Sequence, residues 1–203
     1  MPSRDGREYR AFGAPEIPEG QEYRVRGHAC TWDRYLLYRD GETEFYEQVD
    51  PGAFNGADLS DVVYRVDHQG QVYARSSAGS LTLTVDGRGL GIEADLSRTA
   101  AARAHYEDIV AGNYPKMSFA FTVAEDAWDP ETRTRTIRRI DKVYDVSPVS
   151  FPANPGTDIS ARAAWIDGVI ERETAERLEA ARKEETRKRL ELRLRTMPKG
   201  ATK

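Results

Sequence analysis

Residues 80–96 constrain the fold more than any other stretch. Leu81, Leu83 and Val85 alternate with Ser80, Thr82 and Thr84; Asp86-Gly87 supplies a turn; Leu90, Ile92, Ala94 and Leu96 then resume the period of two. This pattern predicts a β-hairpin with one apolar face, and a lone hairpin cannot cover that face. Further strands are available on both sides. Tyr23, Val25, Gly27 and Ala29 alternate with polar residues, Val62 to Val66 is short and β-branched, and Met117, Phe119, Phe121 and Val123 alternate again. Arg133 to Val143 and Tyr144 to Phe151 read as two more strands, after which Pro152 and Pro155 end the regular structure. One helix interrupts the run, with Ser97 as its N-cap, an alanine-rich body from Arg98 to Ala111, and Gly112 placed to stop it. The expected fold is mainly β (α+β): a closed or nearly closed antiparallel β-barrel with flanking helices.

The two ends differ from this middle. Residues 1–20 hold Gly6, Gly13, Pro15, Pro18 and Gly20 without an apolar period, and are expected to be a flexible N-terminal arm. A barrel domain over 21–163 follows. From 164 to 203 the chain is rich in Glu, Arg, Lys, Ala and Leu, with no proline or glycine between Gly168 and Leu194. Ile166, Val169, Ile170, Leu178, Leu190 and Leu194 give it only a thin apolar stripe, so a charged, solvated or partner-bound helical tail is expected. The tail explains why 32% of the residues are charged, against about 25% in an average domain. The 30 basic and 34 acidic residues leave a net charge of −4, which argues against nucleic-acid binding by global charge. Cys30 is the sole cysteine, which excludes an internal disulfide and any multi-cysteine zinc site. No apolar run approaches the roughly 20 residues of a membrane span, and Met1 to Arg10 lacks the apolar core of a signal peptide. A soluble, intracellular protein is expected, with no membrane partner, no cofactor and no metal.

Few side chains are placed to do chemistry. His28 and Cys30 share a strand face by spacing, but nothing nearby completes four ligands, so a buried cysteine beside a structural histidine is the better reading. His105, mid-helix, reads as a surface or interface histidine. His68 ends a β-rich segment and precedes Gln69-Gly70; histidine is the usual general base near neutral pH, but a strand-end histidine taken alone is more often structural. Ser118 alternates with the large apolar residues of Met117-Ser118-Phe119-Ala120-Phe121, and so shares the less crowded face with Ala120 and Thr122. No Gly-x-Ser-x-Gly elbow surrounds it, which excludes an α/β-hydrolase. Gly87, Gly89 and Gly91 fall at a hairpin with no helix after them, so they do not make a phosphate loop. Arg133, Arg135, Arg138 and Arg139 read as a solvated strand face balanced by Asp126, Asp129 and Glu131.

Several short motifs then occur in one order: Gly27-His28-Ala29 with Trp32, Pro51-Gly52-Ala53-Phe54, His68, and Gly79-Ser80-Leu81 with Asp86 and Gly89-Leu90. Met117-Ser118-Phe119, Asp145-Val146-Ser147 and Pro152-Ala153-Asn154-Pro155 complete the series. Over about residues 22–160 the chain resembles the prohead, or head-maturation, serine proteases of tailed bacteriophages, which are similar in fold to the herpesvirus assemblins. The resemblance implies a peptide hydrolase that cuts scaffold, or the capsid protein's scaffolding segment, inside the immature head in the host cytoplasm. It implies His68 as general base, Ser118 as nucleophile and Asp145 as the third member of a triad. A homodimer is expected by analogy with assemblin and from the prevalence of two-fold symmetry. Backbone groups of Ala153 and Asn154 are the candidates for oxyanion donors. The family commonly has glycine where Ala120 stands and glutamate where Asp145 stands. Asp67 should point away from the site, and Asp141 shares a face with Asp145 but lies about 13 Å along an extended strand. The competing expectation is a catalytically inactive capsid-assembly scaffold module on the same barrel.

Overall fold

The computed structural model of the chain describes residues 6–150 and 160–196. Among them are ten strands and two helices. The strands are β1 (Glu8–Ala11), β2 (Arg24–Thr31), β3 (Tyr35–Asp40), β4 (Thr43–Val49), β5 (Val63–Val66), β6 (Gln69–Arg75), β7 (Leu81–Val85), β8 (Gly89–Asp95), β9 (Lys116–Asp129) and β10 (Thr134–Val149). The helices are α1 (Ala100–Val110) and α2 (Ser160–Thr196). The chain divides into two compact units, Met1–Ala161 and Arg162–Lys203.

The first unit is mainly β. Seven strands form one sheet, with β1-β9-β10-β4-β3 side by side and β5 joining the second half of β10 and carrying β6. β2, β8 and β7 form a second sheet of three. Neither sheet closes on itself among the described residues, so a closed barrel is not what the hydrogen bonds describe. The larger sheet is also mixed: β4 and β5 each run parallel to β10. The chain returns to β10 only after β6, the β7–β8 hairpin, α1 and β9 have intervened, and such long crossovers permit parallel neighbours.

The β7–β8 hairpin forms where the alternation places it. The Asp86 carboxylate accepts from the backbone N–H groups of Arg88 and Gly89, which fixes its turn. A Cβ on Gly89 would lie 1.8 Å from the Cys30 carbonyl oxygen, so only glycine lets β8 meet the bulge in β2. α1 is capped by Thr99, whose hydroxyl accepts from Ala102 N–H at 3.0 Å, and not by Ser97, whose hydroxyl instead donates to Asp95. The two segments expected at 133–151 are one strand of 16 residues. It stays paired with β9 through four register shifts between Ile137 and Asp145, and such bulges bend a strand without ending it.

Residues 8–16 depart most from the expectation of a flexible arm. β1 pairs antiparallel with β9. The chain then exchanges backbone hydrogen bonds with Met117 from Phe12 and Gly13, and with Arg26 of β2 from Glu16. This segment therefore joins an edge of each sheet. Gly27 lies close beneath this segment: a Cβ there would meet Met117 Cγ at 3.3 Å and the Ala14 carbonyl oxygen at 3.6 Å. The core beneath holds Val25, Leu90, Met117, Phe119, Phe121, Ile137, Ile140 and Val146, all essentially inaccessible. The second unit contains most of α2, whose exposed ion pairs Lys183–Glu179 and Lys188–Glu184 are spaced one helical turn apart.

Candidate active site

Ser118, Asp145 and Ser147 share one face of the β9–β10 ladder. Ser118 lies opposite Ser147, and Ala120 lies opposite Asp145; residues paired across strands project to the same side. The opposite face carries Phe119 and Phe121, stacked with ring centroids 4.2 Å apart. The apolar alternation that builds the core is thus what turns the small polar residues the other way.

His68 reaches this face from a tight turn. Val66 pairs with Gln69, so Asp67 and His68 alone connect β5 to β6. Both lie at positive φ, 47° and 58°, the pattern of a type I′ hairpin turn. Such a backbone costs roughly 1–2 kcal/mol for each non-glycine residue, though Asp and His tolerate it better than most. Asp67 fastens the turn. Its N–H donates to the Pro148 carbonyl at 3.2 Å, and its carboxylate accepts from the Ser150 N–H at 2.9 Å and the Ser150 hydroxyl at 2.8 Å. As expected, Asp67 faces away from the imidazole.

The turn brings three of the residues singled out in the sequence into one chain of contacts. His68 Nδ1 lies 2.6 Å from Asp145 Oδ1, and His68 Nε2 lies 2.7 Å from Ser118 Oγ. Ser147 donates to the same Asp145 Oδ1 at 2.8 Å. A carboxylate only accepts, so the Nδ1 proton faces Asp145, and Nε2 is left to accept from the Ser118 hydroxyl. Asp145 and Ser118 are 4% and 3% exposed, whereas the His68 side chain is 16% exposed. The acid is thus sheltered and the imidazole partly open to solvent. Ala153 and Asn154, the oxyanion candidates, lie outside the described residues.

The remaining candidates are drawn into structural roles. The Asp141 carboxylate accepts a long 3.5 Å bond from Thr122, and it is Asp145, not Asp141, that meets His68. His28 pairs with Asp86 at 3.0 Å, while the bulge between His28 and Cys30 breaks the spacing that had put them on one face. Cys30 is fully buried, and burial pushes its thiol well above the usual range. His105 is buried, not superficial, and stacks on Tyr73 at 4.5 Å; burial pulls its pKa down to about 4. Among the described residues, no group of three or more His, Cys, Asp or Glu could hold a metal ion. No helix among them is long and apolar enough to cross a membrane.

Arg135, read from sequence as part of a solvated face, is buried in an ion cluster that sequence reasoning missed. It donates to Glu8 at 2.7 and 2.9 Å, to Glu47 at 2.9 Å and to Asp126 at 2.5 Å. Arg10 donates to both Glu8 and Glu47, and Tyr35 donates to Glu47. Burial would raise the Glu8 carboxyl, but the Arg10 and Arg135 guanidiniums override it and hold the pKa at about 2. Glu47, inaccessible to solvent, is likewise held below the usual carboxylate range, with Arg10 outweighing the effect of burial.

A hydroxyl, an imidazole and a carboxylate in hydrogen-bonded sequence define the constellation of a serine hydrolase acting by nucleophilic attack. Residues 13–171 match the family described as caudovirus prohead serine protease. The chain belongs to that family and is a serine protease of bacteriophage capsid maturation. No curated protein and no solved structure matches it.

Proposed function

We propose that the protein is the endopeptidase that cleaves scaffold, or the scaffolding segment of the major capsid protein, inside the immature prohead in the host cytoplasm. The observation that carries this reading is the unbroken chain Asp145–His68–Ser118, with both contacts within hydrogen-bond reach. His68 Nε2 takes the Ser118 proton as Oγ attacks the scissile carbonyl. Asp145, through Nδ1–H, holds the tautomer and stabilises the imidazolium that forms. The imidazolium then protonates the leaving amine, and a water deprotonated by His68 releases the acyl group. Backbone N–H groups near Ala153 and Asn154 are proposed to face the oxyanion. The two sheets, joined by residues 12–16, are read as the nearly closed barrel of an assemblin-like fold working as a homodimer. The helical tail from 164 serves as an adaptor to capsid or scaffold.

A fluorophosphonate probe tests the chemistry. Labelling of the wild type, lost in Ser118→Ala, is expected. Absence of labelling, alone and with capsid protein present, would favour the inactive scaffold module. Sequencing the new termini of the capsid protein after co-incubation identifies the substrate; an uncut capsid protein and scaffold alongside a probe-reactive enzyme would overturn the substrate assignment only.

A further inference from the structure

We propose that Tyr9 is a positioning residue for the His68 imidazole, and that β1 is the device that delivers it. The inference rests on the reading of His68 as general base. β1 lies outside the 13–171 family match, so nothing about the family assigns it a role.

The register places Tyr9 opposite Ala120, and Ala120 opposite Asp145. These three form one row across β1, β9 and β10, beside the row Ala11–Ser118–Ser147. The imidazole that bonds Asp145 from this face also meets the Tyr9 ring, with centroids 4.6 Å apart and planes inclined by 64°. His68 is thus bracketed by groups from the strands on both sides of β9. Its two hydrogen bonds, at Nδ1 and Nε2, leave the ring free to rock about the line joining those atoms. An edge-to-face aromatic contact opposes that rocking. Ala120, small and fully buried beneath, leaves room for both rings.

The other face of β1 explains how so short a strand holds its place. Glu8 and Arg10, pointing opposite to Tyr9, insert into the buried cluster with Glu47 and Arg135. One strand therefore carries an ionic latch on its inner face and an imidazole support on its outer face.

The test uses the full-length protein carrying Tyr9→Phe, Tyr9→Leu or Tyr9→Ala, with wild type and Ser118→Ala as references. Two quantities are measured: the second-order rate of fluorophosphonate labelling and the NMR resonance of the His68 Nδ1 proton. An aromatic contact of this kind sets the expected loss of rate at about two- to tenfold in Leu and Ala. The Nδ1 proton should broaden in both, at unchanged melting temperature for Leu, while Phe restores both readouts. Wild-type rates and an unchanged resonance in folded Leu and Ala would overturn the inference. A rate that falls only in step with the unfolded fraction would overturn it too. If the wild type itself fails to label, the reading of His68 as base is refuted, and the resonance alone decides whether Tyr9 orders the ring.

Discussion

Replacing Asp145 by Asn separates two contributions of the carboxylate, its charge and its hold on the tautomer. Asp145 Oδ1 receives both the Nδ1–H of His68 at 2.6 Å and the hydroxyl of Ser147 at 2.8 Å. Ser147 is fully buried and keeps that donated bond only if the asparagine places its amide oxygen, not its nitrogen, at the Oδ1 position. The productive tautomer then survives, and what is lost is charge. Two unit charges 4 Å apart interact by about 4 kcal/mol at an effective dielectric of about 20, so turnover should fall by up to about three orders of magnitude. Adding Ser147→Ala frees the amide to turn its nitrogen toward Nδ1. The wrong tautomer then dominates, and the loss should approach four orders of magnitude. Ser147→Ala alone, with the carboxylate intact, should cost about tenfold or less. Burst kinetics with an activated ester, at constant pH and with folding checked by circular dichroism, measure all three. A fall of four orders in Asp145→Asn, unchanged by Ser147→Ala, would refute the argument that Ser147 orients the acid.

Arg10→Met leaves Glu47 buried beside fewer cations and should destabilise the fold by about 3–5 kcal/mol in urea denaturation, whereas Arg39→Ala, at an exposed pair with Glu44, should cost under about 1 kcal/mol. Glu8 has a folded pKa of about 2, below its ordinary 4.5, so its contribution is complete above the unfolded value and disappears as pH falls toward 2. The drop in unfolding free energy between those limits should be on the order of 3 kcal/mol, and Glu8→Gln should flatten it. Gly89→Ala drives a methyl into the Cys30 carbonyl and should cost more than about 4 kcal/mol or abolish soluble expression, read by the melting temperature.

What the sequence made legible follows from which forces act locally. The 81–95 hairpin and the polar face of β9 could be read because each obeys a period of two with apolar residues on the buried side. The pattern placed His68 at a strand end and Ser118 on the less crowded face of its strand, but their roles, like that of Asp145, came from the resemblance to the prohead proteases. β1 could not be read. Its inner positions are Glu8 and Arg10, which look like surface residues until partners 37 to 127 residues away neutralise them. Arg135 was misread by the same logic, since burial of a charge depends on a partner that no local window contains. β10 looked like two strands because its bulges interrupt the alternation while the ladder continues. The parallel placement of β4 and β5 on β10 is a matter of topology, which periodicity does not encode.

The last five residues of β10 and Ser150 at its exit govern the site more than any other segment. Asp145 holds the imidazole, Ser147 holds Asp145, Pro148 accepts the Asp67 N–H, and Ser150 binds the Asp67 carboxylate. The same stretch therefore supplies the carboxylate that meets the imidazole and restrains the strained turn that carries it. Left-handed conformations at two adjacent non-glycine residues persist only where their surroundings over-determine them, and here the restraints on one come from residues within five positions of the restraint on the other. This coupling gives a physical reason why a side chain as short as aspartate reaches the imidazole from β10. A turn drawn down onto β10 by Pro148 and Ser150 brings His68 close enough for the short side chain to reach Nδ1 at 2.6 Å. Loosening the turn, for example by Ser150→Ala, should therefore lengthen the His68–Asp145 contact and slow labelling by a fluorophosphonate, and an unchanged labelling rate in that variant would show that the turn does not set this geometry.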